Sequence, residues 1–275
     1  MQNQNSFVSL IWQAATLALL FSLIVLASLF LATSATAQSL APAPYALSVT
    51  HNATERGVIS PGCAALITLQ GDGQFIGEPM QATRNPLPFE INGITVTIGG
   101  LQAQIRLATP NQLAIIAPDV PLPVSRRRLA WFKVVVNTPT DTFTGWAAYA
   151  PTAPGLYEQT TGKTRHVQGM WRFDRSAVMA LDGSPILAGS RVVLLGSGMR
   201  DARTLRVWID DGFDLWIVDA TLAINQPEAI GGVGWAGFAW IEGVAFDLPP
   251  NAKGNLTLVV QADLMWSQEF WLTTF

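Results

Sequence analysis

Acid–base or nucleophilic chemistry in this chain has few residues to draw on. Only two histidines, His51 and His166, and one cysteine, Cys63, occur in 275 residues, so a base for a serine or thiol nucleophile has two places to come from. The turn Leu195-Gly196-Ser197-Gly198 resembles a nucleophile turn, but it lacks the Gly-x-Ser-x-Gly spacing and the following helix that would expose the hydroxyl. It reads as the end of a strand, and a triad is not indicated. Asp210, Asp211, Asp214 and Asp219 crowd one short segment. Hard cations take several carboxylate oxygens from such a turn, so a Ca²⁺ site near Asp210, Asp211 and Asp214 is one reading. The other is a solvated Asp-Gly hairpin turn, because the segment has no glutamate at the twelfth loop position and runs on into a strand. No other cofactor is indicated. Nothing marks two of these carboxylates as a facing acid and base, which leaves an extracellular polymer hydrolase as the weakest of three functional readings.

Tryptophan is the other conspicuous type. All but Trp12 of the 10 tryptophans follow the N-terminal apolar stretch, and Trp208, Trp216, Trp235, Trp240, Trp266 and Trp271 crowd the last third. Indoles on an exposed sheet face stack on sugar rings, whereas indoles in a core bury large apolar area. Trp208, Trp216, Trp235 and Trp240 are the candidate ligand-contacting residues, with Trp208 and Trp216 flanking one hairpin in position to share a face. Arg126, Arg127 and Arg128 form a short basic run, read as a solvated loop or as a contact for an anionic surface polymer.

The elements that would hold these residues are strands. Ile94, Val96 and Ile98 alternate with Thr95 and Thr97, and Gly99-Gly100 then turns the chain. Similar segments, each bounded by Pro, Gly, Asn or Asp, recur about every 8 to 12 residues, as sandwiches and barrels require. Ahead of them, Leu17 to Leu31 is almost wholly apolar and Ala35-Thr36-Ala37 follows, the layout of a signal peptide over residues 1–37. The apolar stretch extends back to Phe7, long enough for an uncleaved membrane anchor as the alternative. Either way the rest is exported. It holds all 16 Lys+Arg and all 19 Asp+Glu, and the net charge of -3 is far from the basic balance that nucleic acid selects. With a single cysteine no intramolecular disulfide forms, and Cys63 reads as a small buried thiol.

The chain also says nearly the same thing twice. Ser60-Pro61-Gly62 opens the apolar run Ala64 to Leu69, closed by Gly71 and Gly73; Ala188-Gly189 opens Val192 to Leu195, closed by Gly196 and Gly198. After each copy come an alternating strand, an apolar strand ending in proline (Ile115 to Pro118; Val244 to Pro249) and a last hairpin. Two tandem immunoglobulin-like β-sandwiches follow, with residues 38–44 as linker, 45–152 as the first and 153–275 as the second, divided at Pro151 and Pro154.

Ser60-Pro61-Gly62, the Gly99-Gly100 turn within Val96 to Ala103, Pro110-Asn111-Gln112-Leu113-Ala114 to Ala117-Pro118, Ala153-Pro154-Gly155-Leu156-Tyr157 and Leu181-Asp182-Gly183-Ser184 occur in an order that resembles a family of uncharacterised exported bacterial proteins. Its members carry a pair of β-sandwich units, and the match spans most of residues 57–275. Ala114 replaces the family's usual Asn, and Gly231 to Gly237 is an untypical insertion. The resemblance implies the fold and export, and carries no activity. The sequence therefore reads as an exported, non-enzymatic adhesion or interaction module of the cell envelope, with an unnamed protein or polysaccharide as partner. A carbohydrate-binding protein using the Trp residues of the second sandwich is the first alternative.

Overall fold

Strands form here because β-branched and aromatic residues recur at alternate positions between Gly, Pro, Asn and Asp turns. The computed structural model describes residues 45–123, 129–161, 164–173, 178–224 and 241–275, and among them there are strands and no helix. The leader and linker, Arg126 to Arg128, and the stretch holding Trp235, Trp240 and the Gly231 to Gly237 insertion lie outside the described residues.

The first half runs β1 (Tyr45–His51), β2 (Val58–Ile59), β3 (Ala64–Gly71), β4 (Met80–Gln81), β5 (Glu90–Ile91), β6 (Ile94–Ile98), β7 (Leu101–Gln102), β8 (Gln104–Ala108), β9 (Gln112–Ile116), β10 (Ala130–Asn137) and β11 (Thr142–Tyr149). One sheet has the order β1-β3-β9-β8-β4; the other has β2-β11-β10-β6-β5, with β7 also on β6. Strands β1, β3, β9 and β8 thus take the A, B, E and D places of an immunoglobulin sandwich, and β6, β10 and β11 take C, F and G. Strand β2 leaves the first sheet to pair parallel with β11, Val58 opposite Ala148 and Ile59 opposite Tyr149.

The second half runs β12 (Gly155–Leu156), β13 (Glu158–Thr161), β14 (Thr164–Val167), β15 (Gly169–Arg172), β16 (Met179–Ala180), β17 (Arg191–Ser197), β18 (Leu205–Asp210), β19 (Leu215–Asp219), β20 (Thr221–Ile224), β21 (Glu242–Asp247), β22 (Gly254–Ala262), β23 (Met265–Trp266) and β24 (Phe270–Thr274). One sheet is β16-β15-β17-β21-β20 with β12 on β17, and the other is β19-β18-β22-β23 with β24 on β22. Strands β17, β21 and β20 are B, E and D; β18, β22 and β24 are C, F and G. Ile186 bridges Thr274 in parallel, as β2 does to β11. The two sandwiches therefore share the B-E-D and C-F-G strand orders, and the second adds β19 beside strand C and a separate β13–β14 hairpin.

The repeated glycines have a common cause. The Cys63 N–H donates to Ser60 O at 3.2 Å, and the Ser190 N–H donates to Leu187 O at 3.2 Å. The third residues of these turns, Gly62 and Gly189, stand at φ +70° and +79°, where a side chain is disfavoured. Each turn then delivers a strand whose first carbonyl is met by the end of strand E: Ala117 N–H to Cys63 O at 2.9 Å, and Leu248 N–H to Ser190 O at 2.8 Å.

Alternation sends one face of each strand inward. Ile94, Val96 and Ile98 are buried while Thr95 and Thr97 are not; Leu256, Leu258, Val260 and Ala262 do the same in β22. Ile67, Ile105, Ile115, Val134 and Tyr149 belong to one core, and Leu194, Val207, Phe246 and Leu258 to another. Each such large side chain contributes roughly 1.5–3 kcal/mol by leaving water. Cys63 is free and buried in the first core, and burial pushes its thiol up to about 12, so it is held as an inert apolar side chain.

Candidate functional site

The outward face of the sheet formed by β19, β18, β22, β23 and β24 collects apolar groups. Leu205, Val207 and Ile209 point into the core, which turns Arg206, Trp208 and Asp210 outward. The register then builds three rows across the sheet: Asp219, Arg206, Gln261, Trp266; Ile217, Trp208, Val259; and Leu215, Asp210, Thr257, Trp271. Leu215 is 58% exposed, Ile217 51% and Trp271 63%. Trp208 packs on Trp266 with ring centroids 5.2 Å apart and planes tilted by 60°, and its indole N–H donates to Gln261 Oε1 at 2.9 Å. The tilt makes a ridge of the two rings, whereas a flat stacking platform needs parallel planes.

Trp216 does not join this face. It lies opposite Ile209 in the hairpin register and packs against the core, so Trp208 and Trp216 face opposite sides, because neighbouring residues of a strand alternate and Trp216 is one step from Ile217. Trp235 and Trp240 lie outside the described residues. Ile217, Trp266 and Trp271 fill the outward face instead. Trp266 and Trp271 were visible in the sequence as part of the tryptophan cluster, but their facing depends on the register of β23 and β24, which the sequence alone leaves open.

The acidic segment caps its own hairpin. Asp210 accepts from the Gly212 N–H at 2.7 Å, and Asp211 accepts from the Phe213 and Asp214 N–H groups at 2.9 and 2.8 Å. Those backbone donors hold the Asp211 carboxyl below the usual carboxylate range. Asp219 turns to Arg206, 3.3 Å away. Among the described residues no three of His, Cys, Asp and Glu are arranged to hold a metal ion.

A second constellation is buried where the two sandwiches meet. Ser197 Oγ lies 3.1 Å from His51 Nε2, although 146 residues separate them. Sequence names His51 as one of two possible imidazole bases; the structure places it beside Ser197. Yet the pair is oriented against nucleophilic work. The Ala53 N–H donates to His51 Nδ1 at 3.1 Å, so in the neutral ring Nε2 carries the hydrogen and donates to Ser197 Oγ. A serine nucleophile needs the reverse, an unprotonated nitrogen accepting its proton. Both residues are also out of reach, His51 being 1% exposed and Ser197 0%. Burial pushes His51 down to about 4, which keeps the ring neutral.

The neighbours fit this structural role. A Cβ at Gly155 would stand 2.3 Å from His51 Cε1, and one at Gly198 would stand 2.1 Å from the Ala153 carbonyl oxygen. These glycines let the 153–156 segment cross the Ser197 turn. Glu242, 2% exposed, accepts from the Met199 N–H at 2.5 Å, and burial raises it to about 7. Burial likewise raises Tyr157 to about 12, against the lowering effect of Ser197 beside it. Around this centre the Arg56 guanidinium donates to Trp266 O at 2.8 Å, Thr152 Oγ1 donates to Ala262 O at 3.0 Å, and Arg200 pairs with Asp119.

His166 is buried elsewhere. Its Nε2 lies 3.0 Å from Gln159 Nε2, beside a cleft of about 400 Å³ that Glu55, Glu158, Glu269 and Trp271 also line. On the first sandwich, Trp131 and Trp146 are 59% and 60% exposed. They share the outward face of the β10–β11 pair as diagonal neighbours, Lys133 standing opposite Trp146 and Trp131 opposite Ala148.

No protein-family model matches the chain. The search of curated proteins finds no relative. Among solved structures, the SGBP-B protein of a Bacteroides ovatus mixed-linkage glucan utilization locus, in complex with a mixed-linkage heptasaccharide, is 10% identical with a TM-score of 0.31 over 80% of this chain and 44% of that one. The Escherichia coli adhesin FdeC is 10% identical with a TM-score of 0.25 over 84% of this chain and 64% of that one. This chain thus spans less than two thirds of either. Domains 5–6 of the S-layer protein SbsC are 10% identical, with a TM-score of 0.25 over 84% of this chain and 96% of that one.

Proposed function

We propose that this chain is an exported, non-enzymatic interaction module of the cell envelope, its sandwiches spanning 45–152 and 153–275, and that the outward face of β19, β18, β22, β23 and β24 is its binding face. The observation that carries this reading is the gathering of exposed Leu215, Ile217, Trp266 and Trp271 with the half-buried Trp208 on one sheet face. Apolar groups in such a patch cost free energy in water and recover it on docking. The reading of export rests on the leader over residues 1–37. The buried Ser197–His51 pair, with its hydrogen on the wrong nitrogen for catalysis, supports the non-enzymatic reading. The test is binding of the purified protein to intact cells, wall polymers and surface proteins. Ile217→Asp and Trp271→Ala should weaken binding at least tenfold; undiminished binding, or release of soluble sugar or peptide fragments, overturns the proposal.

A second reading is favoured by Trp131 and Trp146, two exposed indoles on one face with Lys133 beside them. That combination suits a polysaccharide carrying hydroxyls and some negative charge. Trp131→Ala and Trp146→Ala would then abolish polymer binding while Ile217→Asp leaves it intact.

A further inference from the structure

The binding face is self-complementary, and we propose that its occupant is a second copy of the same chain, held face to face by a two-fold axis that lies in the interface and runs along the Ile217–Trp208–Val259 row. This rests on the proposed binding face and names its partner.

The argument is one of symmetry. Two sheets packed face to face by a two-fold axis leave two simple choices for the axis direction, along the strands or across them. An axis along β18 would bring Arg206 over Arg206 and Asp210 over Asp210 of the second copy, so that like charges meet across the contact. An axis across the strands reverses each strand over its counterpart. The middle row, Ile217, Trp208 and Val259, then lies over itself as an apolar centre. Arg206 comes over Asp210 of the second copy, two residues to either side of Trp208, and Trp266 comes over Trp271 on the same principle, because their rows flank the central one. Charges of opposite sign therefore meet twice by one rotation, and aromatic groups meet aromatic groups. The intrachain Arg206–Asp219 pair does not compete strongly, since Asp219 is 91% exposed and the pair spans 3.3 Å, the kind of surface pair that contributes little. The turn bond from Gly212 N–H engages one Asp210 oxygen, which leaves the other to accept from a guanidinium.

Cross-linking in the full-length chain, purified in mild detergent, tests the axis. The native Cys63 is fully buried and does not contribute a background. Ile217→Cys lies on the axis and should give a dimer with a short bismaleimide, because sheets packed face to face stand about 10 Å apart, too far for a direct disulfide. Trp146→Cys, on the first sandwich, should remain at background and so reports any association driven by the leader. Arg206→Cys and Asp210→Cys should each fail to cross-link alone and should cross-link to one another when the two proteins are mixed. Adding Arg206→Asp to Ile217→Cys should cut the dimer yield at least tenfold, with an unchanged melting curve as the control for folding. No cross-linked dimer at 217 above the Trp146→Cys background overturns the proposal, and so does self-linking of Arg206→Cys. Loss of the dimer together with retained, Trp271-dependent binding to cells would defeat this inference alone and leave the proposed function standing.

Discussion

His51 and Glu242 are buried with opposite titration habits, burial lowering the histidine and raising the glutamate. Glu242 stands at about 7 in the fold against an ordinary 4.5. The stability of its protonated form is thus full below 4.5 and is lost as pH rises through 7. His51 stands at about 4 against 6.5. Its contribution is full above 6.5 and is lost as pH falls through 4. Each displacement corresponds to roughly 3 kcal/mol, and between 4.5 and 6.5 the two slopes cancel. Urea unfolding across this range should show little change for the natural chain. His51→Gln should lose stability as pH rises from 4.5 to 7, and Glu242→Gln should lose it as pH falls from 6.5 to 4; parallel profiles for the two variants would refute the assignment. Gly155→Ala tests the packing at the same place. Its Cβ would stand 2.3 Å from the imidazole, so it should cost about 1–3 kcal/mol, and His51→Ala in the same chain should recover part of that loss, as a double-mutant cycle in unfolding experiments would measure.

At the scale of elements, two glycines that look alike in sequence do different work. Gly189 and Gly198 both bound the second copy's apolar run and both have positive φ. A Cβ at Gly189 meets nothing nearer than Pro250 at 3.6 Å, whereas one at Gly198 meets the Ala153 carbonyl at 2.1 Å. Gly189→Ala should therefore cost only the backbone strain, about 1–2 kcal/mol, and Gly198→Ala should cost distinctly more, because the Ala153 carbonyl in the segment leading to β12 must move. Equal melting temperatures for the two would contradict this account. The strands β6, β18 and β22 were legible because their apolar residues alternate, and β10, β11, β19 and β24 because they are short apolar runs between turn residues. The short β2, β12 and β20 were not, since two to four residues carry no readable period and their pairing is decided by the sheet they join.

Across the whole described molecule, residues 45–275 form one compact unit, and hydrogen bonds donated by His51, Arg56 and Thr152 cross between the halves. Calorimetry should accordingly show one cooperative transition. Combining His51→Ala, Arg56→Ala and Thr152→Val should split it into two, each sandwich keeping its own core; a single transition in the triple variant would show that other contacts couple the halves.

Sequence by itself determined that this is a doubled all-β chain, because alternation, turn glycines and their repetition are local properties written along the chain. The sequence also favoured a packed, apolar Cys63, a lone thiol opening an apolar strand, and the structure buries it in the first core. The tertiary structure decided which tryptophans face water and what Ser197 meets. A shift of one position in register inverts a strand's faces, which is how Trp216 goes inward and Ile217 outward. The His51–Ser197 bond joins residues 146 apart, and only the packing of one sandwich on the other brings them together.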